Sequence, residues 1–345
     1  MGGTLADNML PALATSGIGS LPHTQLELAL QQALLLDIPA APQLPRRDAA
    51  EYMVPQALEG LHGLRADAEG NASLDLGDWR RGAATLDARL DQALERDDGV
   101  QRFLPSTGAW QALRPFLWEV EQRKLPFAKV QIAGPFTLRW VLRTTRDEPL
   151  AAATDGKAIE RQIFRLVLAR ALALSRRLRE TGARPVIFLD EPGLYAFDRR
   201  DPQHLVSLQE LRVVVLALRR EGAVVGVHCC GNTEWAQLLG LGWDLVSIDA
   251  RLSLEAVLAT GAVFERFQAA GGVLSLGIVP TDLSAPDDLD AVLRDARHRL
   301  GREVLARCLL TPACGLAMRS VPDAERIFAE LRRAQQELRG GDGRS

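Results

Sequence analysis

Cysteine is scarce in this chain: 4 among 345 residues, at positions 229, 230, 308 and 314. That is too few for a disulfide-held scaffold of this size, and the adjacent Cys229 and Cys230 have poor geometry for pairing with each other. A reducing, cytoplasmic setting with thiol or metal chemistry is the expectation instead. Long apolar runs are missing too. None reaches about 18 residues without a charge, so no membrane span is predicted. There is no basic excess: 41 Lys and Arg face 44 Asp and Glu, for a net charge of −3. No footprint for nucleic acid follows from that balance. Residues 1–7 lack a basic region followed by an apolar core, so no signal peptide is expected.

What the chain has is apolar substance, with 47% hydrophobic residues, enough for a large core. Short β-rich apolar runs recur at 13–20, 38–43, 127–133, 185–190, 223–228, 245–249, 272–278 and 308–312. Helical periodicity separates most of them, as at 25–36, 157–180, 208–220, 233–241 and 289–300. Buried strands alternating with helices predict a parallel sheet. Eight such units predict an α/β fold of the (β/α)8 TIM-barrel class, with an open doubly wound sheet as the alternative. Residues 54–122 break the alternation and read as an insertion after the second strand, a hairpin with helices over the barrel mouth. Residues 1–339 then form one barrel, and the polar, Gly-rich 340–345 reads as a disordered tail.

In such barrels the chemistry sits at the C-terminal ends of the strands. The polar residues there are Ser20, Gln43, Asp190 with Glu191, His228 with Cys230, Asp249 and Cys314. Period-two alternation puts His228 and Cys230 on one side and Cys229 on the other. Asp249 ends the next strand and Cys314 follows the last. One imidazole, two thiolates and a carboxylate make a tetrahedral zinc set, and soft thiolates favour zinc over magnesium or calcium. Structural zinc sites show closely spaced CxxC knuckles, which this chain lacks. Cys308, inside a strand, reads as a small buried hydrophobe. His62, His204 and His298 read as surface residues, and His23 as a solvated residue at a helix start. Trp140, Trp235 and Trp243 read as packing.

Five segments together resemble the catalytic barrel of cobalamin-independent methionine synthase, within the uroporphyrinogen decarboxylase-like superfamily. They are Thr15-Ser16-Gly17-Ile18-Gly19-Ser20-Leu21-Pro22, Ile132-Ala133-Gly134-Pro135-Phe136-Thr137, Leu189-Asp190-Glu191-Pro192-Gly193-Leu194, His228-Cys229-Cys230 and Pro312-Ala313-Cys314-Gly315-Leu316. The stretch Cys230-Gly231-Asn232-Thr233 is also similar to the zinc motif of corrinoid-dependent thiol methyltransferases. The resemblance implies zinc held by His228, Cys230, Cys314 and an acidic residue at Asp249. The family has Glu at that last position, so the shorter Asp249 is left to bind directly, through water, or not at all. It implies that the backbone of Ile18, Gly19 and Ser20 holds homocysteine, that Asp190 holds its ammonium, and that Gln43 stands where the family has a glutamate facing the amino acid.

The implied activity is zinc-dependent methyl transfer to the thiol of homocysteine, giving methionine. The family's His-Ser pair after the seventh strand is missing from Gly277-Ile278-Val279-Pro280-Thr281. The full-length enzymes carry a preceding duplicated barrel that helps hold the folate, and this sequence has no counterpart of it. The expected donor is therefore a methylated corrinoid protein, with methyltetrahydrofolate as the other candidate. Another acceptor thiol such as coenzyme M, or a metal-free uroporphyrinogen decarboxylase-like activity, are the competing expectations.

Overall fold

The computed structural model describes residues 10–96, 99–282 and 289–340. The expected tail falls almost wholly at 341–345, outside the described residues. Among the described residues nine strands form two sheets. The smaller joins β1 (Leu64–Ala66), β2 (Ala72–Leu74) and β4 (Arg143–Thr144). The larger has six parallel strands, in the order β3 (Phe127–Ala133), β5 (Arg184–Asp190), β6 (Val224–His228), β7 (Leu245–Asp249), β8 (Val273–Val279) and β9 (Leu309–Pro312). These six coincide with six of the eight apolar runs. Apart from the first residues of β3, β5 and β8, all their residues are buried, as in a sheet covered on both faces.

The first two runs behave differently. Residues 13–20 and 38–43 make single parallel bridges, not ladders: Thr15 with Leu310, Ser16 with Ile38, Ser20 with Gln43 and Ala40 with Lys129. The reason lies in the sequence. Pro39 and Pro42 have no N–H to donate, and Gly19 adopts φ +151°, off the path of a regular strand. The bridges still lead from β9 through both segments to β3, so the large sheet is curled and its two edges are linked.

Among the described residues these helices pack around it: α1 (Leu26–Ala33), α2 (Met53–Ala57), α3 (Leu76–Glu95), α4 (Leu113–Gln122), α5 (Pro135–Val141), α6 (Gly156–Glu180), α7 (Pro202–Arg220), α8 (Trp235–Leu239), α9 (Ala250–Leu258), α10 (Ala262–Ala269), α11 (Leu289–Arg307, kinked at Gly301) and α12 (Val321–Gly340). Among the described residues no helix is long and apolar enough to cross a membrane. The 54–122 region holds the antiparallel pair β1–β2, α3 and α4. Buried Arg170 of α6 anchors it, donating to the carbonyls of Phe103, Gln56, Ala57 and Glu59. Five donors in a fixed fork suit a guanidinium to this role.

The inner face of the curled sheet is graded along the strands. At its N-terminal end Ala14, Ile38, Val186, Val224, Leu245 and Leu309 form an apolar cluster of their own, capped by Phe188. A Cβ on Gly226 would lie 2.5 Å from Phe188 Cζ, so glycine there lets the ring lie across the interior. Further along the strands polar side chains appear on this face, among them Ser16, Lys129, Gln131, Asp190, His228 and Ser247, and several of these build the site.

Candidate active site

The strand ends bring His228, Cys230 and Cys314 together, with their ligand atoms all within 4.8 Å of one another. His228 ends β6, and its Nδ1 lies 3.0 Å from Ser247 Oγ on the neighbouring β7. That contact fixes the ring and leaves Nε2 buried without a partner. A buried polar atom with nothing to bond is uncommon, and this one belongs to a histidine clustered with two sulfurs. The sulfurs interact as a pair. A hydrogen bond from the Cys314 thiol and the adjacent His228 push the Cys230 thiol well below its usual range. Donating to Cys230, together with burial, pushes Cys314 up. Cys229 points away as its parity predicts: it is fully buried, its thiol is raised to about 12 by burial, and its sulfur reaches the Gly231 carbonyl.

Asp249 does not join this group. Its side chain caps α9 instead, with Oδ1 accepting from Arg251 N at 2.9 Å and Leu252 N at 3.1 Å. A residue that ends a strand directly before a helix is also that helix's N-cap, and two amide donors hold the carboxylate there. The structure therefore offers three clustered ligands, not the expected four.

Asp190 ends β5, level with His228 in the register. Burial raises its carboxyl to about 6, against the pull of Lys129 and then His228. Its Oδ1 has no partner. Glu191 beside it is fully committed elsewhere. It accepts from Phe136 N at 3.1 Å, Thr137 N at 2.7 Å and Thr137 Oγ1 at 2.5 Å, at the start of α5. Burial raises it to about 7. This explains two of the sequence segments at once: Glu191 closes the first turn of the helix that Gly134-Pro135-Phe136-Thr137 begins. Gly134 must lack a Cβ, because one there would lie 2.7 Å from Glu191 Cγ.

Ile18, Gly19 and Ser20 run beside the cluster and are tied to both neighbouring loops. Gln43 N donates to Gly19 O at 3.2 Å, and Leu316 N donates to Ser20 O at 2.8 Å. Ile18, Ser20, Gln43, Asp190, His228, Cys230 and Cys314 line one cleft of about 250 Å³. A larger cavity of about 960 Å³ adjoins it, sharing Met53, Pro192 and Cys230. Its walls include β1 and β2 residues, Thr137, Trp140 and Tyr195. The expectation of packing held for buried Trp235 and Trp243, whereas Trp140 is 47% exposed and meets Tyr195 edge-on at the cavity rim. His23, expected in water, is buried.

Three residues of the site escaped the sequence reading: Lys129, Gln131 and Ser247. All lie within strands, not at strand ends. A Lys-x-Gln pair in an otherwise apolar strand was the available signal.

No family model matches the chain. Two curated proteins do, each named 5-methyltetrahydropteroyltriglutamate–homocysteine methyltransferase. The one from Vibrio vulnificus is 24% identical over 362 residues, covering 96% of this chain. The one from Mycobacterium leprae is 24% identical over 359 residues, again covering 96%. The chain resembles the cobalamin-independent methionine synthases along nearly all of its length. It spans less than half of these relatives, 42% and 44% of their own sequences. A B12-independent methionine synthase from Shewanella sp. W3-18-1, solved with selenomethionine, shares the fold at TM-score 0.62 and 14% identity, over 96% of this chain and 98% of that one. A methyltransferase from Methanosarcina mazei shares it at TM-score 0.59 and 16% identity, over 96% and 94%.

Proposed function

We propose that this chain is a zinc-dependent methyltransferase that methylates the thiol of homocysteine, built on a closed eight-strand barrel with 54–122 inserted over its mouth. The observation that carries the proposal is the cluster of one imidazole and two sulfurs with His228 Nε2 left buried and unpartnered. That donor set suits zinc with a coordination position left open. Zinc bound there would hold an acceptor thiol as its thiolate, whereas a free thiol with a pKa near about 8.5 is only a few per cent ionised at neutral pH.

The protein's own part is orientation and exclusion of water. Asp190, buried with a free Oδ1, is the partner for the acceptor's ammonium, since a charge-assisted bond is stronger than a neutral one. Ile18 and Ser20 line the 250 Å³ cleft, which is of a size for an amino acid, and with Gly19 between them form the backbone segment proposed to hold it. The 960 Å³ cavity meets that cleft at Cys230 and is the route for the donor. The methyl would pass to sulfur while the bonding pair stays with the donor. Our favoured donor is a methylated corrinoid protein, with methyltetrahydrofolate second. The curated relatives carry the folate in their names but extend well beyond this chain.

Metal analysis and methyl transfer on one preparation test the proposal. About one zinc per chain is expected, lost together with activity in Cys230→Ser and in Cys314→Ser. Homocysteine and coenzyme M as acceptors, each with methylcobalamin and methyltetrahydrofolate, identify the substrates. Full activity in zinc-free protein would refute the metal role.

A further inference from the structure

Lys129 stands in the middle of β3, with 1% of its surface exposed, in a chain whose only other lysines are Lys124 and Lys157. An ammonium is seldom buried so completely without partners that define its place. Its Nζ donates to Ile18 O at 2.6 Å and to Gln131 Oε1 at 3.2 Å. Below it, 4.6 Å away, lies the centre of the Phe188 ring, a face that attracts a cation. Asp190, on the same strand as Phe188, supplies the facing negative charge; burial pulls the ammonium down to about 8 and Asp190 holds it up.

The Gln131 contact is the start of a chain. Gln131 Nε2 donates to Gln43 Oε1 at 3.1 Å and to Ala41 O at 2.9 Å. Gln43 Nε2 donates to Gln56 Oε1 at 2.5 Å, and Gln56 Nε2 donates to Ala109 O at 3.0 Å. An amide can turn over and exchange donor for acceptor, but an ammonium can only donate. Lys129 at one end and a backbone carbonyl at the other leave one sense for all three amides. Gly19 closes over the middle of the chain, where a Cβ would come 2.9 Å from Gln131 Cγ.

We propose that Lys129 is a positioning residue for the acceptor cleft, fixing the Ile18 carbonyl in place and supplying the donor that anchors the Gln131–Gln43–Gln56 amide chain. It touches neither the clustered ligands nor a reacting atom, and acts through the loop and through Gln43, both of which line the cleft. This role rests on the acceptor assignment made above. Removing the ammonium frees Ile18 O and leaves Gln131 Oε1 without its donor, so the loop and the amide chain loosen and acceptor binding suffers, while the metal ligands and donor cavity stay as they are.

The test compares zinc-loaded wild type with Lys129→Met, which keeps the apolar stem, Lys129→Gln, which keeps a neutral donor, and Lys129→Arg, which keeps the charge. Lys129→Met is expected to raise the acceptor KM about tenfold to a hundredfold, with donor KM and zinc content unchanged and kcat within about threefold. Lys129→Gln should follow it, including where the Met variant does not fold, and Lys129→Arg should recover part of the loss. Hydrogen exchange of the 17–21 peptide, measured without substrates, should be at least about tenfold faster in the Met or Gln variant. An acceptor KM within about threefold of wild type in both neutral variants would overturn the proposal, as would unchanged exchange at 17–21. Wild-type protein that methylates no thiol would instead overturn the acceptor assignment, and the exchange measurement would still judge the loop.

Discussion

Substituting Gly134 by alanine should damage the protein through one partner, and removing that partner should cancel the damage. A Cβ at Gly134 would lie 2.7 Å from Glu191 Cγ, closer than real Cβ contacts come. The carboxylate must then swing away from Phe136 N and Thr137 N, the two amides it accepts at the start of α5. Overpacking of this kind costs about 1–3 kcal/mol, and a buried amide left without an acceptor costs about 1–3 kcal/mol more. The expected loss for Gly134→Ala is about 3–5 kcal/mol. Glu191→Ala removes the same acceptors together with the Thr137 Oγ1 contact, for about 2–4 kcal/mol. In the double variant the new methyl enters the space the carboxylate left. The backbone raises no objection, because Gly134 has φ −81° and ψ 162°, a conformation alanine adopts freely. At such a position Gly→Ala stabilises by about 0.4–1 kcal/mol through the unfolded state. The double variant should therefore be no less stable than Glu191→Ala alone, a coupling of at least about 3 kcal/mol. Urea unfolding of the four proteins at constant pH gives the cycle. Losses that add within about 0.5 kcal/mol would refute the account of Gly134 as space made for Glu191.

Glu191 also predicts a pH dependence. Burial raises its carboxyl from 4.5 to about 7 in the folded protein, so its contribution to stability is fully present below about pH 4.5 and is lost as pH rises through about 7. The stability difference between wild type and Glu191→Gln, followed by thermal melts from pH 4.5 to 8, should shift against wild type by about 2–3 kcal/mol; a constant difference would show that the carboxyl does not titrate there. Asp249→Asn keeps an oxygen to cap α9, so stability should fall by less than about 1 kcal/mol and zinc content should hold; loss of the metal would make Asp249 a ligand after all.

Six strands of the large sheet were legible because strands buried on both faces are written as apolar runs, and 127–133 and 245–249 appear in the structure with those bounds. The first two runs looked the same by hydropathy, but Pro39 and Pro42 withhold the N–H donors that turn an extended segment into a ladder, and Gly19 turns off the strand path. In the site, period-two parity separated Cys230 from Cys229, and chain order placed Cys314 on the same rim. Parity could not show that Asp249 serves the next helix, since a strand-end carboxylate and a helix N-cap look alike in sequence. Lys129 and Gln131 lie inside β3, away from the strand ends where polarity marks a barrel site, and their only signal is that a lysine inside an apolar strand has to be satisfied somewhere. The larger cavity was not legible at all: it depends on where the β1–β2 pair settles against Trp140 and Tyr195, a tertiary contact with no local signature.

The grading of the inner face explains why unpartnered atoms are tolerated where they are. The apolar cluster below Phe188 leaves that end of the interior without polar partners, so every polar group must be satisfied by its neighbours or from the open end. Lys129, Gln131 and Gln43 satisfy one another. Glu191 is satisfied by the start of α5. Among the described residues His228 Nε2, Asp190 Oδ1, Ser275 Oγ and Thr311 Oγ1 have no hydrogen-bond partner, and the first two belong to residues that line the same cleft. A buried acceptor or donor without a partner costs about 1–3 kcal/mol, and that deficit is recovered when a partner arrives. A cation beside His228 and an ammonium beside Asp190 would each recover it. Two such deficits on adjacent strands, at register-paired positions, support the proposed cleft for a metal-bound amino acid.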